Sequence, residues 1–202
     1  MNRKPQVLVT LPEGVPVDDV VRRTLEGDRA AEGLLYRRYA PIMLSMATRL
    51  LHSVAAAEDV VHDAFIIALS RLSQLSDPAQ FRGWLSTIVV SLVRRRMRRE
   101  RVLRFVGFEP DADDTLEALA KPGTSVEARG ELALLEVTLR ELPTNLRLAW
   151  SLRYIEGEKL EDVAALLNKG LSTTKRYLAA AEERIAQRVA IEPPEREDEV
   201  KS

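Results

Sequence analysis

The stretch LEDVAALLNKGLSTTKRYL, residues 160–178, reads as two helices meeting at a tight turn. Leu160 to Leu167 carries apolar residues at helical spacing, and its small Ala164 marks where a second helix approaches closely. Asn168-Lys169-Gly170 supplies the turn, because Asn and Gly both tolerate positive φ. Ser172-Thr173-Thr174-Lys175-Arg176-Tyr177 then opens the second helix with small hydroxyls and two cations. Such groups suit base edges and phosphates in a major groove. The pattern predicts a helix-turn-helix with Ser172 to Tyr177 facing DNA, and with Leu160, Val163, Leu167 and Leu178 setting the angle between its helices.

Helical periodicity continues outward from this stretch. A helix is expected from Leu132 to Leu142. Pro143 opens another that ends near Gly157, and the second helix of the pair runs on to about Val189. Towards the N-terminus, apolar residues recur at helical spacing from Ala30 to Leu51, with Pro41 expected to end one helix and begin the next. Ser53 to Glu58 reads as a connection, followed by an amphipathic helix to about Leu72. Ser76-Asp77-Pro78 is turn chemistry, and a helix from Phe81 is expected to bury Trp84, Ile88 and Leu92. No strand pattern and no internal repeat accompany these segments. Aromatic residues make up 5% of the 202-residue chain, which also favours helices over sheet. The fold class is therefore all-α, as two small helical domains joined by a flexible acidic linker. The expected boundaries are an N-terminal extension over 1–27, a first domain over 28–106, a linker over 107–130, a second domain over 131–191 and an acidic tail over 192–202.

The formal net charge of −1 conceals a strong asymmetry. Val21 to Arg104 holds 15 Lys and Arg against 8 Asp and Glu, a net +7, whereas Phe105 to Glu131 holds 2 against 7, a net −5. Seven arginines, at 94, 95, 96, 98, 99, 101 and 104, fall within eleven residues. That density exceeds what capping a helix end requires, and arginine suits bidentate phosphate contact, so this segment is expected to meet nucleic acid.

Composition excludes several other functions. The chain has no cysteine, which removes disulfides, thiolate catalysis and thiolate zinc sites. Its two histidines, His52 and His62, are read as solvated or structural, and no metal site is expected. Asp59 and Asp63 flank His62, but these helical positions diverge instead of converging on an ion. No nucleophile–base pair or phosphate-cradling glycine loop is present, so neither catalytic residues nor a cofactor are expected. No apolar run reaches the roughly 20 residues needed to cross a bilayer, and MNRKPQVLVTLPEG lacks a full signal-peptide core. A cytoplasmic location without membrane insertion is the default expectation.

The stretches LLYRRYAPIMLSMATRLL, AEDVVHDAFIIALSRL and FRGWLSTIVVSLVRRRMRR together resemble conserved region 2 of extracytoplasmic-function (ECF) RNA polymerase sigma factors. LRELPTNLRLAWSLRYIEGEKLEDVAALLNKGLSTTKRYLAAAEERI resembles region 4 of the same family, and the collinear order with an acidic linker matches the family's two-domain layout. The resemblance covers about Leu34 to Val189. It implies binding to core RNA polymerase, recognition of −10 and −35 promoter elements, and strand opening. By the same resemblance, Asp59, His62 and Asp63 meet the clamp helices of the β′ subunit, with Phe65 packed inward. Arg82, Ser91, Arg94, Arg95 and Arg98 meet the −10 element. Ser172, Thr173, Thr174, Lys175, Arg176 and Tyr177 read the −35 element, while the outer face of region 4 docks near the β flap. An anti-sigma factor is the expected regulatory partner. The family commonly follows the recognition helix with a basic run, where this chain has Ala179-Ala180-Ala181-Glu182-Glu183-Arg184, so a weak −35 grip is expected. Two other functions compete with this one: a stand-alone helix-turn-helix regulator, and a helical enzyme acting on nucleic acid.

Overall fold

A computed structural model describes residues 15–105 and 126–191, and all its regular elements are helical, with no strand among the described residues. The order is α1 (Val17–Leu25), α2 (Arg29–Leu51), α3 (Val54–Ser70), 3-10 turns at Leu72–Gln74 and Pro78–Gln80, α4 (Phe81–Phe105), α5 (Val126–Glu141), α6 (Thr144–Trp150) running into a wide π turn (Ser151–Ile155), α7 (Leu160–Leu167) and α8 (Leu171–Ile191). No described helix is long and apolar enough to cross a membrane.

Local chemistry sets the joints. Gly27 takes φ +88° between α1 and α2, a conformation that costs other residues a Cβ clash. Asp28 then caps α2, its carboxylate accepting from the Ala30 N–H at 2.8 Å while Arg23 donates to its other oxygen at 2.6 Å. The Arg23 bond and the capping N–H groups hold the Asp28 carboxyl below its usual range. His52 ends α2 in the left-handed region at φ 57°, and Ser53 immediately caps α3 by accepting from the Ala56 N–H. The connection expected over Ser53 to Glu58 is thus confined to His52 and Ser53. Asp77 accepts from the Ala79 N–H at 3.0 Å, forming the turn expected at Ser76-Asp77-Pro78.

Three further expectations are corrected. Pro41 does not divide α2, which runs through it. Pro41 and Arg37 are both exposed, so the carbonyl deprived of its i+4 donor lies on the solvent side. The first 27 residues are not wholly outside the domain, because α1 buries Val20 and Val21 at 4% and 1% exposure against α2. Helix α5 begins at Val126, inside the stretch assigned to the linker; residues 107–125, the rest of that linker, lie outside the described residues, as do residue 106, the acidic tail and residues 1–14.

The N-terminal core gathers Leu35, Tyr39 and Met43 of α2, Val61, Ala64 and Phe65 of α3, and Phe81, Leu85, Val89, Val93 and Met97 of α4. Trp84, Ile88 and Leu92 pack against this core half-buried instead of forming its centre. The α4 stripe is wider than its sequence spacing indicated because a second body packs on the same helix. Leu148, Ala149 and Leu152 of α6 and the π turn, with Val163, Leu166 and Leu167 of α7 and Leu178 of α8, join the same continuous core. A smaller cluster of Leu139, Leu142, Leu146 and Ala181 ties α5 and α6 to α8.

Candidate nucleic-acid interface

Helix α8 presents its first turns through a short junction. Asn168 takes φ 50°, Lys169 N–H donates to the Ala164 carbonyl and Asn168 N–H to that of Ala165, the hydrogen-bond pattern of a Schellman stop. Lys159 precedes α7 with no side-chain cap. Ser172, Lys175 and Arg176 are exposed and Thr173 is half-buried, so these four face outward together. Thr174 is corrected: it is fully buried, donates its hydroxyl to the Gly170 carbonyl, and lies one turn before the buried Leu178. Tyr177 is half-buried and packs against both apolar clusters.

On α4, Ser91, Arg95 and Arg98 are exposed and follow one another at three- and four-residue steps, hence on one face. Arg99 and Arg101 are exposed beside them. Arg82 is exposed but nine residues from Ser91, about two and a half turns, which places it on the opposite side of the helix. Trp84 sits seven residues before Ser91, about two turns, and its ring lies 6.2 Å from that of Phe81.

Arg94 is engaged elsewhere. Its Nη2 donates at 2.9 Å to the carbonyl of Leu167, the last residue of α7. Burial, and then the neighbouring Arg98 charge, pull its pKa below the ordinary arginine value. The guanidinium therefore caps the carboxyl end of the first helix of the helix-turn-helix, where a cation is favoured.

Asp59, His62 and Asp63 are exposed on one side of α3, opposite Ala57, Val61 and Ala64 of the core. Phe65 packs inward at 3% exposure, as expected, and its ring contacts Tyr36 at 4.7 Å. Asp59 also pairs with Arg96 at 3.4 Å, a contact with the Asp59 side chain 74% exposed that exchanges readily for another partner. Sequence reasoning missed the apolar rim of this surface, Tyr36 at 44% and Ile66 at 56% exposure. Their helical spacing resembles core spacing, and only the packing distinguishes them.

A second set of polar contacts joins the two bodies. Arg49 of α2 grips Glu156 with two hydrogen bonds of 2.6 Å each. Arg147, buried in α6, donates to the Leu50 carbonyl at 3.1 Å. The π turn makes the first contact possible: Glu156 N–H donates to the Ser151 carbonyl five residues back, and the widened turn carries the carboxylate toward α2. Partners separated by about a hundred residues carry no sequence signal, so none of these was anticipated.

Residues 35–102 match the family model described as Sigma-70 region 2. The chain is 30% identical over 192 residues to the RNA polymerase sigma-H factor of Pseudomonas aeruginosa, covering 88% of this chain and 95% of that protein. It is 27% identical over 177 residues to the ECF RNA polymerase sigma-E factor of Escherichia coli, covering 84% and 92%. Among solved structures it resembles CnrH in complex with the cytosolic domain of CnrY, with a TM-score of 0.58, 22% identity, and coverage of 88% and 100%. It also resembles the sigma factor RpoE bound to the anti-sigma factor NepR from Bartonella quintana, with a TM-score of 0.56, 21% identity, and coverage of 80% and 98%. Those two structures bear on the fold, and the near full-length relatives on descent: the chain belongs to the extracytoplasmic-function family of RNA polymerase sigma factors.

Proposed function

We propose that the work of this sigma factor is divided among three surfaces. Asp59, His62 and Asp63 dock α3 on the clamp helices of polymerase β′, with Tyr36 and Ile66 as apolar neighbours. Ser91, Arg95 and Arg98 on α4 engage the −10 element, joined by Arg94 once it leaves Leu167, while Arg82 reaches DNA from a separate face. Ser172, Thr173, Lys175 and Arg176 on α8 read the −35 element, with Thr174 and Tyr177 supporting them from beneath. The outer face of the C-terminal helices docks near the β flap. The protein acts by binding, without cofactor or catalytic group, alongside the polymerase in the cytoplasm. An anti-sigma factor is the proposed regulatory partner, a reading supported by the NepR complex of the B. quintana relative.

One observation carries this reading: a single chain presents an exposed acidic face on α3, an exposed basic face on α4 and a helix-turn-helix. A stand-alone helix-turn-helix regulator accounts for α7 and α8 only, and leaves the other two faces without a task. Run-off transcription with core polymerase and fragmented genomic DNA tests the reading. Discrete start sites absent with core alone are expected, and failure to bind core would return the helix-turn-helix regulator to first place.

A further inference from the structure

We propose that Leu171 is a specificity-determining residue of this protein: its side chain meets the 5-methyl group of a thymine in the major groove of the −35 element. This contact rests on the assignment of α8 to the −35 element above, and adds to it a discrimination between bases.

Leu171 is a large apolar side chain that the fold leaves uncovered. It is 44% exposed and belongs to neither apolar cluster. Along α8 it continues the buried stripe of Thr174, Leu178 and Ala181 toward the helix start, about one turn beyond the edge of the core. Asn168, Lys169 and Gly170 before it, and Ser172 after it, are all exposed as well. A lone exposed leucine is ordinary on a protein surface. This one is set apart by its neighbours, since Ser172 adjoins it and Lys175 follows one turn later on the same side of the helix.

The side chain is also held in place. The Gly170 carbonyl accepts from the Thr174 N–H at 3.0 Å and from the Thr174 hydroxyl at 3.1 Å, which fastens the first turn of α8. Leu171 is the first residue of that turn. Cα–Cβ bonds tilt toward the start of a helix, so a side chain at the first position projects beyond the helix end. In a helix-turn-helix, that end of the second helix is the part that meets base edges.

The chemistry of the groove then selects the base. Thymine alone among the four bases presents an apolar group there, its C5 methyl. Leucine neither donates nor accepts a hydrogen bond. Against an amino or carbonyl edge it would displace water without replacing the lost bonds, whereas against a methyl both partners leave water. Removing that one methyl is expected to weaken binding roughly fourfold.

Deoxyuridine differs from thymidine in the pairing strand by this methyl only, which makes the contact directly testable. On a promoter defined by run-off transcription, each thymine of the −35 element, on either strand, is replaced singly by deoxyuridine and the fragments are titrated with holoenzyme. One replacement is expected to weaken binding roughly fourfold. Leu171→Ala should bind the thymine fragment more weakly and no longer distinguish it from the deoxyuridine fragment. Leu171→Met, which keeps a long apolar side chain, should restore the distinction, and Lys175→Ala should preserve it while weakening both fragments alike. A thymine preference that survives intact in Leu171→Ala overturns the proposal. So does a −35 element in which no methyl matters although Lys175→Ala and Arg176→Ala weaken binding, an outcome that leaves α8 as the reader. If neither of those two variants weakens binding, α8 does not read the −35 element and the proposal falls with that assignment.

Discussion

His52 combines three demands on one side chain. It ends α2 in a left-handed conformation, it is 5% exposed, and its Nδ1 lies 3.9 Å from Glu136. Burial, and then the charges of Arg147 and Arg140, lower its pKa from 6.5 to about 4, outweighing the attraction of Glu136. The folded protein therefore keeps this imidazole neutral where the unfolded chain begins to protonate it. Its contribution to stability is full above pH 6.5 and declines as pH falls toward about 4, by up to roughly 3 kcal/mol. His52→Asn retains a residue tolerant of the left-handed region and removes the titration. Urea midpoints measured from pH 7 to pH 4.5 should fall less steeply for His52→Asn than for the unaltered protein; parallel curves would show that His52 does not govern this range. Nothing in the sequence marked His52 for this place. Asn168, in the same backbone conformation, was legible because a short turn between two periodic segments demanded it.

At the level of elements, helix type and order were legible wherever a 3.6-residue period met a chemical stop: Asp77 before α4, Pro143 before α6, Asn168 after α7. Two departures share a cause. Pro41 reads as a break that burial on both sides of it overrides, and α4 reads as one apolar stripe although it packs against two bodies. The candidate site followed the same rule. The outward positions Ser172, Lys175 and Arg176 could be read from the sequence, whereas the burial of Thr174 depends on how α8 leans on its neighbours. This sorting predicts different outcomes within a single turn. Lys175→Ala and Arg176→Ala should each weaken promoter binding and reduce the slope of log K against log salt by about 0.9 when the side chain contacts a phosphate. Thr174→Val should leave that slope unchanged and act on stability alone. Holoenzyme titrations at several salt concentrations separate the two, and a slope change with Thr174→Val would put its hydroxyl back on the DNA. Glu182 and Glu183, exposed further along α8, offset half of the charge of Lys175, Arg176, Arg184 and Arg188 on the same helix.

For the molecule as a whole, two domains on a tether describe the sequence better than they describe the packing. The division rests on acidic composition between two periodic halves, and composition does not reveal whether those halves share a core. Here they do: one continuous apolar cluster runs from Val20 through Val93 to Leu178, and Arg147 crosses from one half to the carbonyl of Leu50 in the other at 5% exposure. A C-terminal body that leaves Leu148, Leu152, Val163 and Leu167 against α4 has few of its large apolar residues in a core of its own, chiefly Leu139, Leu142 and Leu146. Its stability thus depends on the N-terminal body, and the two should melt together. Scanning calorimetry of the free chain is expected to give one transition with matching calorimetric and van't Hoff enthalpies. Glu156→Lys, by loosening the docked surface, should lower that transition or split it into two. Two resolved transitions in the unaltered chain would mean that each half is stable alone, leaving the shared cluster as contact without cooperativity. A single transition would mean that the shared cluster binds the two halves into one cooperative unit, neither of which unfolds without the other.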